Sequence, residues 1–183
     1  QWVGLEVRTG NDVARVLYAK FGFRVIGERV CMLRRPGGAW SGGGQPYPEL
    51  RRGRSGDAHA IAAIARTAIP DQQRALLEFR KWDYILGWER TLDSLLDRRR
   101  ETWWVAESGG AIQGALWVVH ELRQRPDRME IFVHPAHHGE TEAQLVLQGL
   151  DPLHGAPKNP IETSIVAPAD STLAAFEQAG FRK

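Results

Sequence analysis

Apolar and polar positions along the chain repeat with two periods, and the switches between them divide it into strands and helices. Residues 2–8, WVGLEVR, read as a strand. Asn11 and Asp12 then open a helix with Val13, Val16, Leu17 and Phe21 on one face, stopped by Gly22. Arg24 to Arg34 is a second extended run. Pro36 follows, then a stretch with Gly37, Gly38, Gly42, Gly43, Gly44, Pro46 and Pro48, which has the composition of a linker. Beyond it Leu50 to Arg54 is strand-like. Asp57 is read as the cap of a helix with Ile61, Ile64, Ala65, Ala68 and Ile69 at helical spacing before Pro70.

Asp71 caps another helical stretch, with Leu76, Leu77, Trp82, Ile85 and Leu86 on its apolar side. Gly87 interrupts it, and Leu92, Leu95 and Leu96 continue the pattern toward Arg100. TWWVAE and AIQGALWVVHE form two strand-like runs joined by Ser108, Gly109 and Gly110, a strong hairpin signal. Residues 128–150, RMEIFVHPAHHGETEAQLVLQGL, then read as a strand, a turn rich in His and Gly, and an amphipathic helix. Thr141 with Gln144 three residues later has the capping-box pattern, which sets the helix start near Thr141. After a loop with Gly155, Pro157 and Pro160 come the strand IETSIVA and a helix capped by Asp170 and ended by Gly180.

Composition narrows the function classes. The 183 residues suit an ordinary domain, and 43% hydrophobic residues suffice for a core. With 24 basic and 22 acidic residues the formal charge is +2, too balanced to require nucleic acid or an anionic membrane as partner. The runs RRGR (51–54) and DRRR (97–100) read as solvated charge, with an adaptor for nucleic acid as a weaker idea. The single Cys31 cannot form an internal disulfide, which fits a reducing cytoplasm. No apolar run approaches a membrane span and no signal peptide opens the sequence, which begins with Gln1. His134, His137 and His138 lack the Cys or carboxylate pattern of a zinc site, so no metal is expected.

The turn after the third of these strands is the chemically suggestive stretch, because a helix start presents backbone N–H groups to an anion. Val133, His134 and Pro135 close the strand, and His138, Gly139, Glu140, Thr141, Glu142 and Ala143 form the turn. This order resembles the acyl-CoA pyrophosphate site of the GNAT N-acetyltransferase superfamily, whose turn follows Arg/Gln-x-x-Gly-x-Gly/Ala. His138 stands at the Arg/Gln position, Thr141 replaces the Gly, and Ala143 is allowed. Two features oppose the match. Thr141 limits the approach of backbone to a phosphate, and Glu140 and Glu142 put two carboxylates where a diphosphate would dock. The competing reading is a plain strand-turn-helix connection.

The first and last segments repeat. GLEVRTGNDVARVLYAKFGFR (4–24) and ETSIVAPADSTLAAFEQAGFR (162–182) share a strand, a helix and a closing Gly-Phe-Arg, 158 residues apart counting from Phe23 to Phe181. Both resemble the GNAT element written Asn-x-x-Ala-x-x-Leu-Tyr-x-x-x-Gly-Phe. Asn11, Ala14, Leu17, Tyr18, Gly22 and Phe23 match closely in the first, whereas the second keeps only the closing Gly-Phe. The resemblance implies an α/β fold with a GNAT-like mixed, twisted β-sheet flanked by helices on both faces. It divides the chain into the C-terminal part of a first GNAT copy (1–36), a linker (37–47) and a second GNAT-like domain lacking its last strand or strands (48–183). An unfilled sheet edge invites pairing, so residues 24–34 are expected to fill it, within the chain or by exchange between two chains of a homodimer.

The function implied is N-acyl transfer from acetyl-CoA or a related thioester to a small-molecule or peptide amine. Glu130 is the candidate base, with a solvated carboxylate pairing Arg128 or Arg125 as its competing reading. Phe132 and Val133 would pair with pantetheine, residues 138–143 and Asn11 would assist the cofactor, and Tyr18 would be the acid if the first copy packs near the cleft. Phe176 stands at the equivalent position in the second copy and cannot donate a proton. Trp82 and Trp88 are read as core, with a substrate-pocket role as the alternative. A non-catalytic GNAT-like scaffold or ligand-binding domain is the rival function.

Overall fold

The structure, a computed structural model, describes residues 3–36, 49–71, 99–122, 125–151 and 159–183. The expected linker and the helical stretch containing Trp82 and Trp88 lie outside the described residues. Six strands form one mixed sheet among the described residues: β1 (Arg29–Arg34), β2 (Leu50–Arg52), β3 (Arg99–Ser108), β4 (Ala111–Glu121), β5 (Asp127–Val133) and β6 (Ile161–Val166), in the order β1-β6-β5-β4-β3-β2. Only β5 and β6 run parallel; every other neighbouring pair is antiparallel. The β3–β4 turn closes through Gly109 and Gly110, both at positive φ (59° and 77°), as the hairpin signal requires.

Period-2 alternation fixes the two faces of the sheet. On β4, Leu116 and Val118 point to one core together with Met129, Ile131 and Val133 of β5, whereas Ala115 and Trp117 point to the other. The first core is covered by α3 (Glu142–Leu150) and α4 (Asp170–Gln178), which supply Leu145, Val146, Leu150, Ala175 and Phe176. The second receives Ile61 of α2 (Ala58–Ala68) over Trp103 and Val105. Each such large side chain contributes about 1.5–3 kcal/mol on burial. The helix α3 sits so close to the sheet that a Cβ at Gly149 would lie 2.3 Å from Leu116 Cδ2 and 2.8 Å from Met129 Cε.

The edge strand β1 pairs with β6 within the chain, from Arg29↔Val166 to Arg34↔Ile161. So residues 29–34 do fill the edge expected to be open, and residues 24–28 lead into it without regular structure. Met32 enters the main core, and the buried Arg34 donates from Nε to the carbonyl of Ala179 at the C-terminal end of α4 (3.0 Å), where a cation suits the helix dipole. Leu33 and Arg182 exchange backbone hydrogen bonds of 2.8 and 2.9 Å on the outer side of β1.

Several local expectations are corrected. Residues 3–8 are not a strand, because among the described residues no ladder partner lies beside them. Helix α1 (Asp12–Lys20) forms with Asn11 as its cap, but buries none of its residues; Val13 and Phe21 are 82% and 73% exposed. Asp57 does not cap α2 with its side chain. Its carboxylate instead accepts from the Arg54 N–H (2.6 Å) and from Arg51, which also reaches Glu107. The Arg51 bonds lead the effects that hold the Asp57 carboxyl below its ordinary value, and the charged run at 51–54 is in part a structural clamp. Asp170 is the first residue of α4 rather than its cap, and its charge lies where the helix dipole favours it.

Candidate functional site

The parallel ladder between β5 and β6 is short. It joins Asp127↔Ile161, Arg128↔Glu162 and Met129↔Thr163, and then stops, although β5 runs on to Val133 and β6 to Val166. Meanwhile β5 stays paired with β4 through Val133↔Gly114, and the His134 N–H continues to the Gln113 carbonyl at 2.9 Å. At their C-terminal ends the two strands are thus no longer laddered to each other, and β5 leads into the turn before α3. Pro135–His137 forms one 3-10 turn, Gly139 takes φ 89°, and α3 begins at Glu142. Tight packing holds the turn against β4: a Cβ at Gly114 would lie 3.0 Å from Leu145 and 3.2 Å from Thr141 Oγ1.

The centre of the turn is Glu142. Only 2% exposed, its carboxylate accepts from the Gly139 N–H at 2.8 Å (Oε2) and 3.0 Å (Oε1), and from Ser171 Oγ of α4 at 2.7 Å; His138 Nδ1 lies 3.0 Å from Oε1. Burial pushes the carboxyl pKa up, but the Ser171, Gly139 and His138 hydrogen bonds together outweigh it and hold the group below its ordinary value. An anion thus already sits in the turn, and it belongs to the chain. The residues present do not fit a diphosphate in this conformation, because the Gly139 amide is engaged by Glu142.

The capping box expected from Thr141 and Gln144 does not form. Thr141 makes no side-chain cap bond; its buried Oγ1 faces Gly114 and meets no hydrogen-bond partner among the described residues. Glu140 is also away from the amide, pairing with His137 at 3.0 Å on the surface. Of the two carboxylates expected to oppose a diphosphate, Glu142 alone occupies the position. The histidines serve separate partners: the His134 ring accepts the Ala136 N–H at 3.3 Å, His137 meets Glu140, and His138 meets Glu142. No group of three or more metal-ligating side chains occurs among the described residues.

Glu130 is half-buried at the middle of β5, opposite Trp117 and just past the point where the β5–β6 ladder stops. Neighbouring Arg128 pairs with Glu121 (3.4 Å) and lies over the Trp117 ring at 5.9 Å. Phe132 stacks on Trp103 at 6.5 Å between centroids, and Val133 faces the main core. Ala143 is exposed on the first turn of α3. So His138, Gly139 and Glu142 converge, with Glu130, Phe132 and Val133 on the strand beneath.

Asn11 and Tyr18 belong to a separate unit. The Asn11 side chain accepts from the Ala14 N–H at 3.1 Å, and the Tyr18 ring packs edge-on against Phe23 at 5.8 Å. Phe176 is fully buried against Phe181. Sequence reading missed Ser171: a serine in the first turn of a helix carries no signal that its hydroxyl crosses to another helix.

No protein-family model and no curated protein sequence matches the chain. Solved structures do. A tandem GNAT protein from the clavulanic acid biosynthesis pathway superposes over 97% of this chain and 56% of its own, at 16% identity and TM-score 0.56. An N-acetyltransferase from Staphylococcus aureus Mu50 does so over 71% and 80%, at 18% identity and TM-score 0.54. A GNAT-family protein from Novosphingobium aromaticivorans DSM 12444 is matched over 87% and 61%, at 14% identity and TM-score 0.52. The chain therefore spans about three fifths of the length of two of these proteins. At such identities the likeness establishes the fold, which is the mixed α/β fold of GNAT acetyltransferases.

Proposed function

We propose that the chain serves as a GNAT-type N-acyltransferase, moving an acetyl or similar acyl group from acyl-CoA to a small-molecule or peptide amine. The observation that supports this reading is the end of the β5–β6 ladder after three pairs, and the unladdered stretch beside the Gly139 turn is taken as a cleft. An extended thioester arm is the kind of ligand such a cleft suits, and holding two reactants in line lowers a barrier by roughly 7–11 kcal/mol. On this reading Glu130, past the last ladder pair, takes the proton that the amine must lose. Phe132 and Val133 flank the arm; residues 138–143 surround the diphosphate only once the Glu142 carboxylate leaves the Gly139 amide, and Asn11 supports the cofactor only where its unit lies against the cleft. Tyr18 serves as acid only where α1 lies against the cleft.

Glu142 favours a second reading, a non-catalytic GNAT-fold scaffold or ligand-binding domain, since the amide that would meet a diphosphate already holds a carboxylate. Titration calorimetry with acetyl-CoA and CoA separates the two. The acyltransferase reading expects binding by the wild-type chain and roughly tenfold tighter binding by Glu142→Ala, a gain of about 1.4 kcal/mol from removing the competing anion. Glu130→Gln should bind equally well and lose about 10²–10⁴-fold in turnover in an acceptor screen. Absence of binding by both the wild type and Glu142→Ala would rule out acyl transfer by this chain and leave the scaffold.

A further inference from the structure

The unit around α1 is built like the unit around α4, and the two differ in what covers them. Each helix has nine residues and ends at a glycine with φ near 90°, Gly22 at 86° and Gly180 at 89°. A phenylalanine amide then bonds back to an aromatic residue's carbonyl, Phe23 to Tyr18 at 3.1 Å and Phe181 to Phe176 at 3.0 Å. Both aromatic pairs are edge-on, at 5.8 and 4.9 Å. In the second unit Thr172, Ala175, Phe176, Ala179 and Phe181 are all buried beside the strands of the main core. Their counterparts are Ala14, Leu17, Tyr18, Phe21 and Phe23, among which Leu17 and Phe21 are exposed large apolar side chains.

The parity of the preceding segment agrees. On β6 the buried positions are Ile161, Thr163 and Ile165. Their counterparts are Val3, Leu5 and Val7, apolar at every second residue, and Val3 and Leu5 are exposed. Residues 3–25 hold seven of the nine exposed large hydrophobics among the described residues, so the excess of exposed apolar surface is confined to this one unit. Meanwhile β1, which follows it, is paired with β6 and meets the unit through an Arg29–Glu6 ion pair of 3.1 Å.

We propose that residues 3–23 are the covering unit of a second β-sheet, carried by a partner domain. Residues 4–8 add as its edge strand, and the Leu17 and Phe21 side of α1 packs on its apolar face. The partner chemistry follows from the equivalent unit: a sheet with a parallel edge strand and an apolar face, of the kind that β6 and α4 complete. This surface does not involve Glu130 or residues 138–143.

The chain's own sheet is the probe for the test. Residues 162–182 are replaced by the sequence of residues 4–24, which changes no loop length. One version carries the whole segment; the other keeps Ser171 and alanine at 175 and 179, so that Glu142 keeps its partner and Leu17 and Phe21 add no volume to the core. A third chimera carries the same residues in scrambled order. Expected is one cooperative thermal transition, with amide-exchange protection over residues 170–178, in at least the alanine version and not in the scrambled one. Failure of both ordered chimeras, or equal folding of the scrambled one, overturns the proposal. In the intact chain Phe21→Asp should move Tm by less than about 3 °C, as for an exposed position. A larger fall would mean that the chain already covers this face, and a wild-type dimer in sedimentation that Phe21→Asp dissolves would put a second copy there; either result overturns it.

Discussion

Glu142 shows how one side chain decides what a turn can do. A buried carboxylate is costly unless its oxygens are satisfied, and here an amide, a hydroxyl and an imidazole satisfy them. Because its pKa in the folded chain is held below the ordinary value of 4.5, the stability it adds is complete above that pH and is lost as pH falls through the lowered value. Glu142→Gln should therefore flatten the acid limb of stability below about pH 4.5 and cost about 1–3 kcal/mol at neutral pH. Urea midpoints measured from neutral to strongly acidic pH check both, and an unchanged acid limb would show that Glu142 is not the group responsible. The sequence made this residue visible only as one of two carboxylates near the turn. Its partner Ser171 lies on another helix, and a contact made by tertiary packing leaves no trace in local spacing. Thr141 misled for the same reason, since its hydroxyl faces β4 Gly114 instead of the helix end that its pattern suggests.

At the scale of elements, helix and sheet are held by close approach. Gly149 is the narrowest point, where α3 meets Leu116, Met129 and Val118. A methyl group there must displace core side chains, so Gly149→Ala should destabilise by about 1–3 kcal/mol despite its better helix propensity. Chemical denaturation would detect this, and a neutral or stabilising result would show that α3 can lift from the sheet. Elements of this kind were largely legible beforehand. The alternation of Asp127 to Val133, with every odd position buried, is what a two-faced central strand must look like, and the Gly109-Gly110 turn fixed its hairpin neighbours. Residues 3–8 were misassigned because apolar alternation signals a strand face without supplying the neighbour that a strand needs.

For the whole molecule, the first 34 residues divide into two parts with opposite fates. Met32 is fully enclosed in the main core, while Val13 lies in solvent. Met32→Ala should cost about 2–5 kcal/mol and Val13→Ala should stay within about 0.5 kcal/mol. Thermal unfolding of the two variants would test this contrast; equal losses would mean that α1 is part of the same cooperative unit. The likeness of residues 4–24 to 162–182 led to the expectation that residues 24–34 complete the sheet edge, and residues 29–34 pair there. Which of those residues pair was not legible, because register depends on the contour of β6.

The pairing of β1 with β6 also sets an order of events in synthesis. Arg34 leaves the ribosome 127 residues before its ladder partner Ile161. At roughly 5–20 residues per second that is a wait of about 6–25 s. During it Val30 and Met32 lack the β6 strand that they join in the folded chain, so this extended segment is made long before it can find its place. Nascent chains thus carry this segment unpaired for that interval, which makes early chaperone capture a determinant of yield that the folded molecule no longer displays.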